Sequence, residues 1–544
     1  MKTLYKNGTI VSGSSAEDFS TCMLVEDDRI AYTGNDVHLH EGSADEVVDL
    51  QGKRVLPGFI DGHMHLLLFG ASLSKLSLES CTSLSTIRST ILSYAQSNPH
   101  LPRLFCRGWM HSMTDGQALS SMLDDLDPRP IFIDSKDLHS AWCNSAALRE
   151  LGVQDTPDPA GGVIHRDEQG NPSGLLSEAA AVDIVWPHVA KVASRDEKVG
   201  FVRGAVEAYN RAGYTGAVEM ATDENLWETV LAYVQEEEER KKGAGKGGMT
   251  LRLASHWIIL PHADEARVLA QVDRAIELRA QYNLANSPGL RIAGIKVICD
   301  GVVDACTAAL TQPYASNGAN CETLWEAEML EKVVRRADEA GLQCALHAIG
   351  DATVKMAVDV LGKVGTRGRR HRIEHLEVTA AEDARRLGEL GITASVQPVH
   401  ADPAIVRAWP KLLGEERCGR AFAYREFVDG GAKLAIGTDS PTAPHLPLRN
   451  LYTATTRRSA REPESVEVFN RHLALSLMEA VSAATAGSAY SCFADGFAGR
   501  LGEGMKADFV IVDMQWDAER LLDATVEETY FEGRRVYKRE EVVN

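Results

Sequence analysis

Two histidines one residue apart follow a short apolar run near the N-terminus, in the stretch GFIDGHMH at residues 58–65. If this stretch is a strand, His63 and His65 point to the same face, because side chains alternate along a strand. Two imidazoles on one face at the end of a strand can chelate a metal ion. The alternative is a pair of polar residues in a surface turn, so the rest of the chain must decide.

Four further residues suited to binding a metal or moving a proton lie in or after short apolar runs. They are Lys296 in GIKVICDG, His347 in LHAIGD, His375 in RIEH and Asp439 in IGTDSP. Each has an ordinary explanation: a lysine can snorkel to the surface, a lone histidine can be a hydrogen-bonded core residue, and an aspartate can cap a helix. A charged lysine among apolar residues is costly if buried, and that cost disappears if the amine reacts with CO₂ to form a carbamate.

The segments that carry these residues alternate with helical patterns between about residues 200 and 440, which predicts parallel βα units. The apolar runs lie at 214–220, 251–259, 291–299, 342–350, 371–378, 392–398 and 433–440. With the strand VLPGFIDGHMH they number eight, the count of a (β/α)₈ TIM barrel of the α/β class. Such barrels place their active sites at the carboxyl ends of the strands, so the six candidates meet at one mouth. Imidazole and carboxylate groups there suit zinc or a similar divalent ion.

The remaining segments predict two accessory parts. Residues 56–74 and 196–494 are assigned to the metal-binding barrel, and residues 75–195 to an insertion subdomain after its first strand that contributes to the pocket. Residues 1–55 and 495–544 contain short strands that are too few at either end for a stable sheet. We expect the two ends to pair into one small β-sandwich domain.

Composition excludes several classes of protein. The 544-residue chain has 57 basic and 77 acidic residues and a net charge of −20, which argues against a nucleic-acid partner. No signal-peptide core and no run of about 18 apolar residues is present, so no membrane association is expected. Ten cysteines without a CxxC pair predict reduced thiols, mostly in the core, and a cytoplasmic enzyme.

Nine motifs along nearly the whole chain carry a family resemblance. They are LPGFIDGHMH (56–65), RGW (107–109), HSAWCNSAAL (139–148), GNPSGLLSE (170–178), IKVICDG (295–301), LHAIGD (346–351), RIEH (372–375), GTDSP (437–441) and GMKADFVIVD (504–513). In this set and order the chain resembles the amidohydrolase superfamily. Within it, the chain is similar to the amidohydrolase-3 branch, which includes YtcJ-like proteins and N-substituted formamide deformylases.

The resemblance implies a metal centre, with zinc as the expected metal, one or two ions, and an N-carboxylated Lys296. The implied ligands are His63, His65, Lys296, His347, His375 and Asp439. The function expected is hydrolysis of a non-peptide C–N bond, in an amide or formamide, by metal-activated water. Asp439 would take the water proton and pass it to the departing amine. A hydrolase of cyclic amides, carbamates or esters, and a catalytically silent scaffold, remain as alternatives.

Three residues of the insertion lie in motifs that resemble those of the family and are predicted to contact substrate: Trp109, His139 and Asn144. The alternative is that Trp109 packs in the core of the insertion and that Asn144 caps the helix formed by SAALREL. The expected partner is a small amide-like substrate. The resemblance is compatible with a homodimer, and the sequence decides neither the oligomeric state nor the substrate.

Overall fold

The structure contains an eight-stranded parallel sheet. The computed structural model describes residues 1–14, 18–136, 140–159, 162–244 and 248–540, and in it the eight strands are neighbours in chain order. The barrel strands are β1 Phe59–Met64, β2 Tyr214–Thr222, β3 Arg252–Ile259, β4 Leu290–Ile298, β5 Gln343–Ala348, β6 Arg372–His375, β7 Thr393–Val396 and β8 Leu434–Ile436. A parallel bridge between Met64 and Ser440 links the first and last strands. The predicted (β/α)₈ barrel is confirmed.

Helices connect the barrel strands, as crossovers between parallel strands require. Their bounds are Arg195–Ala212, Glu224–Ala244, Glu265–Gln281, Ala327–Glu339, Asp351–Val364, Ala381–Leu390, Trp409–Leu413, Glu415–Cys418, Tyr424–Asp429, Pro447–Thr456, Leu477–Ser482 and Ser488–Ser491. The helix Ala327–Glu339 illustrates the pattern, since it buries Leu330, Val333, Val334 and Ala337. Spacings of three and four residues place these side chains on one apolar stripe.

The predicted first strand is divided in two at Pro57 and Gly58. Residues Arg54–Pro57 form a strand of a different sheet, and β1 begins at Phe59. At Gly58 a Cβ atom would lie 2.3 Å from the Thr215 hydroxyl oxygen, so only glycine fits there without displacing that residue. The prediction that VLPGFIDGHMH forms a single strand is therefore wrong, because the segment contributes to two strands of different sheets.

The two ends of the chain form two small sheets. One contains Lys2–Lys6, Cys22–Glu26, Arg29–Gly34 and Glu46–Asp49, and the other contains Thr9–Val11, Phe19–Ser20, Arg54–Pro57, Phe509–Asp513, Thr525–Phe531 and Arg534–Lys538. In the second sheet, Phe509–Asp513 pairs antiparallel with Arg54–Pro57. Tyr5 and Met23 of the first sheet pack with Phe509 in one buried cluster. The predicted β-domain built from both ends is confirmed, while the domain limits proposed from the sequence stay a prediction.

The insertion is a compact unit made of Leu66–Ala205 with Glu228–Tyr233. Its sheet contains Leu76–Ser77, Leu104–Trp109, Ile131–Ser135, Ser140–Cys143, Gly162–Arg166 and Pro172–Glu178. Its α-helices are Leu66–Leu73, Leu84–Ser97, Ser145–Leu151 and Trp186–Val192. Trp109 and Trp142 lie at the centre of its apolar core, so the segment is a folded subdomain, as predicted.

All ten cysteines are free thiols, and only Cys306 and Cys321 are partly exposed. The prediction that the cysteines lie mostly in the core is confirmed for this chain. No helix in the described ranges has both the length and the apolar character needed to cross a bilayer.

Candidate metal centre

The six predicted ligand residues lie toward the same end of the barrel. His63 and His65 lie in β1 and just beyond it, Lys296 lies in β4, His347 lies in β5, His375 ends β6, and Asp439 follows β8. The Asp439 Oδ1 atom is 3.1 Å from His65 Nε2 and 3.4 Å from His63 Nε2. The His375 ring centroid is 4.9 Å from that of His63 and 4.3 Å from that of His347. The structure therefore brings the imidazoles and the carboxylate into one cluster.

Left-handed backbone at two of these residues turns their side chains toward the cluster. His375 has a φ of 76° and Asp439 a φ of 57°. Glu374 and His375 are sequence neighbours and would point to opposite faces of a regular strand. The positive φ at His375 lets both reach His63: the Glu374 carboxylate lies 2.7 Å from the His63 ring, and the His375 ring stands beside it. Such conformations are strained for residues other than glycine and cluster at functional sites.

Asp61 connects the two segments that carry His63 and Asp439. Its buried carboxylate accepts hydrogen bonds from the His63 N–H at 3.1 Å and from the Thr438 N–H and hydroxyl at 3.0 and 2.6 Å. The Tyr209 hydroxyl donates a further bond at 2.9 Å. Burial raises the pKa of Asp61 to about 6, because the charged form loses its water. The carboxylate thus fixes the end of β1 against the turn after β8.

Burial lowers the pKa values of His63, His347 and His375 and favours their neutral forms. It lowers the pKa of His63 to about 4 and that of His347 to about 3, and the nearby charge of Lys296 adds to the effect at both. Burial opposes ionisation of Asp439, but His63, His65 and His375 overcome it and hold the pKa of that carboxyl well below its usual range. Neutral imidazoles and an ionised carboxylate are the forms in which these groups bind metals.

Two buried nitrogen atoms of the cluster fit a metal ion. His347 Nε2 and His375 Nδ1 are buried without a hydrogen-bond partner, a costly state for a polar atom, and the Asp300 Oδ1 atom lies 3.6 Å from His347 Nε2. Lys296 is 2% exposed, and the described residues place no carboxylate at ion-pair distance from its amine. A divalent ion would engage the lone pairs of the unpartnered imidazoles, and the set of nitrogen and carboxylate donors suits zinc-type ions. The residues present therefore fit the metal that the sequence implies.

Three further residues of this site were not predicted from the sequence: Glu374, Glu377 and His400. His400 Nδ1 lies 3.2 Å from Glu377 Oε1, and its Nε2 lies 3.8 Å from Asp439 Oδ2. Its ring stacks on that of His375 with centroids 6.0 Å apart, and His375, Glu377 and His400 form a second group with metal-ligand geometry. Their positions in the sequence could have indicated them, because His400 follows β7 and Glu377 follows β6 at the same edge of the barrel.

Comparison with known families decides the classification. A sequence model described as the amidohydrolase family matches residues 46–537.

This chain belongs to the amidohydrolase family.

Curated relatives match almost the whole chain. The protein LONG AFTER FAR-RED 3 of Arabidopsis thaliana is 31% identical over 98% of this chain and 91% of its own length. The putative amidohydrolase YtcJ of Bacillus subtilis is 28% identical over 99% and 100% of the two chains. The N-substituted formamide deformylase of Arthrobacter pascens is 24% identical over 98% of each. The predicted resemblance to the branch containing the last two is confirmed.

A solved structure shares the amidohydrolase fold of this chain. It is an uncharacterized metal-dependent hydrolase from Pyrococcus horikoshii, with a TM-score of 0.76 and 24% identity over 99% of this chain and all of that one. The barrel and its accessory sheets are therefore a known combination.

The three predicted substrate contacts of this amidohydrolase lie in the insertion. Trp109 is fully buried against Trp142, with ring centroids 5.3 Å apart. Asn144 is 1% exposed and caps the helix Ser145–Leu151, since its side-chain oxygen accepts the Ala147 N–H at 2.9 Å. His139 lies outside the described residues. These contacts favour a packing role for Trp109 and a helix-capping role for Asn144 over contact with substrate.

Proposed function

We propose that this amidohydrolase hydrolyses a non-peptide C–N bond in a small amide or formamide, with zinc as its metal. The observation that carries the proposal is the position of Asp439 Oδ1, within 3.4 Å of the Nε2 atoms of both His63 and His65. His63, His65 and Asp439 each offer a ligand atom within 4.8 Å of the other two, and the nearby His375 Nδ1 atom is buried without a hydrogen-bond partner. The similarity over nearly the full length to a protein named as an N-substituted formamide deformylase supports the choice of substrate class.

His63, His65, His347, His375 and Asp439 would hold the metal in this proposal. When bound, a divalent ion supplies Lewis acidity, which polarises a carbonyl group and lowers the pKa of water toward neutrality. Asp439 is ionised before the reaction, so its carboxylate can accept the proton of the attacking water. The protonated Asp439 can then donate that proton to the departing amine nitrogen, a step that amides need because an amide anion is a poor leaving group.

Lys296 takes part as a carbamate in this proposal. Burial lowers the pKa of its amine, because the ammonium form loses its water inside the barrel, and a neutral amine is the form that reacts with CO₂. The reaction forms an N–C bond and releases one proton, which leaves an anion on the lysine. An anion beside the imidazole cluster would place a negatively charged ligand where the unmodified lysine carries an amine.

Metal content and turnover test the proposal together. Protein purified without a histidine tag should contain one or two zinc ions per chain by elemental analysis, and Lys296→Ala and Asp439→Asn should contain less. A panel of N-substituted formamides and simple amides should release formate or amine with the wild-type protein. Turnover of only cyclic amides, carbamates or esters would contradict the substrate class but keep the site. Absence of metal, with no turnover after addition of zinc, manganese or cobalt, would refute the proposal and favour the scaffold.

A further inference from the structure

A chain of buried charged groups extends away from His63, on the side opposite to Asp439. The His63 Nδ1 atom lies 2.7 Å from Glu374 Oε2, and Arg372 Nε lies 2.5 Å from Glu374 Oε1. The side chains of Arg372 and Glu374 are fully buried, and that of His63 is 1% exposed. Burying charges inside a barrel is expensive unless they are paired and hydrogen-bonded, so this arrangement requires an explanation.

The contact determines which nitrogen of His63 carries the proton. Arg372 Nε and Nη2 contact Glu374 Oε1 and Oε2 at 2.5 and 3.1 Å, the two-point pairing that a guanidinium group makes with an ionised carboxylate. An ionised carboxylate can only accept, so His63 Nδ1 must donate its hydrogen to Glu374. The Nε2 atom is then the one with a free lone pair, and it is the atom that lies 3.4 Å from Asp439 Oδ1. The tautomer that Glu374 selects thus presents the free nitrogen to the candidate metal centre.

Arg372 holds Glu374 and the end of β1 in one frame. Its Nη2 atom donates to the Gly62 carbonyl at 2.6 Å, next to His63 in the chain, and to Ser395 Oγ of β7 at 2.7 Å. Its Nη1 atom donates to Ser491 Oγ at 3.1 Å. The guanidinium therefore bonds to β1, β6, β7 and a helix near the end of the barrel domain. Rotation of Glu374 would break its bonds to Arg372 and His63, and rotation of the His63 ring would break its bond to Glu374.

We infer that Glu374, anchored by Arg372, is a positioning residue that orients His63 and increases the affinity of the metal centre. The inference rests on the proposed metal-dependent function but not on the identity of the substrate. A carboxylate that receives the second ring N–H of a metal-binding histidine typically changes metal affinity 10- to 100-fold when it is mutated. The candidate ligand that Glu374 contacts is His63, so Glu374 acts on the metal centre through the His63 ring.

The test is the strength of zinc retention in the purified full-length protein. Zinc-loaded wild type and Glu374→Gln are equilibrated with a series of chelators of known zinc affinity, and the released zinc is measured with a colorimetric indicator. We expect Glu374→Gln to lose its zinc to chelators whose zinc affinity is about 10- to 100-fold lower than that needed to remove zinc from the wild type. The matched control is Asp338→Asn, because Asp338 Oδ1 lies 3.0 Å from His371 Nε2 in a second buried carboxylate–histidine pair. That variant should release zinc within about threefold of wild type, since His371 is at the opposite end of β6.

Cobalt substitution gives a readout that reports ligand geometry. The visible absorption of the Co²⁺ form should change in Glu374→Gln and remain as in wild type in Asp338→Asn. If Glu374→Gln does not fold because Arg372 is left unpaired, the double variant Arg372→Met with Glu374→Gln removes both charges. It should retain the lowered zinc affinity, because the carboxylate on His63 is still absent.

Each outcome supports or overturns the inference. Wild-type zinc retention and an unchanged cobalt spectrum in a folded Glu374 variant overturn it. So does a metal-bound wild-type structure in which His63 contacts the ion through Nδ1, an observation that needs no variant. Wild-type protein that binds no divalent ion at all refutes the proposed function itself, which separates the two failures.

Discussion

Replacing Asn144 with alanine distinguishes capping from substrate contact. Besides the Ala147 N–H, the Asn144 oxygen accepts the Ile131 N–H at 3.0 Å, and its amide donates to the Arg129 carbonyl at 2.9 Å. Loss of a helix cap costs about 1 kcal/mol. The buried Ile131 N–H left without a partner adds about 1–3 kcal/mol. We therefore expect the insertion to lose about 2–4 kcal/mol of local stability in Asn144→Ala.

Hydrogen exchange read by mass spectrometry measures this loss, because a chain with two compact units does not unfold in one step. Amides of the helix Ser145–Leu151 should exchange about 30- to 700-fold faster in Asn144→Ala. Ser83→Ala is the control, since Ser83 caps the helix Leu84–Ser97 at an exposed site and its loss should cost about 1 kcal/mol. Equal increases in exchange rate for the two substitutions, together with a raised KM in Asn144→Ala only, would refute the capping role. They would favour the predicted contact between Asn144 and substrate.

Four further predictions concern the barrel and the core of the insertion. Asp439→Asn should lower kcat/KM by at least about 10²-fold, the smallest contribution usual for a general acid–base group, and a change below about tenfold in steady-state assays would exclude the proton role. Protein incubated with ¹³C-bicarbonate should show a carbamate carbon signal by NMR, and its persistence in Lys296→Met would assign it elsewhere. Removing zinc with a chelator should lower the thermal midpoint, since a ligand at about 100 times its Kd stabilises by about 2.7 kcal/mol; an unchanged midpoint that zinc does not alter would contradict a bound metal. Trp142→Ala should cost about 3–5 kcal/mol and make the insertion sensitive to limited proteolysis, whereas cleavage at the wild-type rate would argue against a packed core.

The barrel and its metal cluster were predictable because their signals are local. A parallel strand buried on both faces reads as a short apolar run, and the strand ends of a barrel meet at one edge. The sequence alone therefore places His347 and His375 at the same edge of the barrel. The division of the first strand at Pro57 and Gly58 was not predicted, because its two halves pair with different strands far away in the sequence, Phe509–Asp513 and Tyr214–Thr222.

The supporting residues could not be predicted from their local sequence. Glu374 sits beside His375 in a strand, and regular alternation would have sent the two side chains to opposite faces. Only the positive φ at His375 places both near His63, and such a conformation has no reliable signal in RIEH. Asp61 and His400 likewise have partners that are distant in the chain: Thr438 and Tyr209 bond to Asp61, and Glu377 bonds to His400.

The pairing of the two chain ends has a consequence for synthesis on the ribosome. The strand Arg54–Pro57 must wait for Phe509–Asp513, which emerges roughly 450 residues later, before it gains that neighbour. At about 5–20 residues per second the delay is about 20–90 s, during which one edge of that early strand has no permanent partner. An unpaired edge can join another chain, so this strand is open to aggregation during synthesis until Phe509–Asp513 pairs with it. Slower translation of the barrel segment would lengthen that interval, and a holding chaperone would be most useful within it.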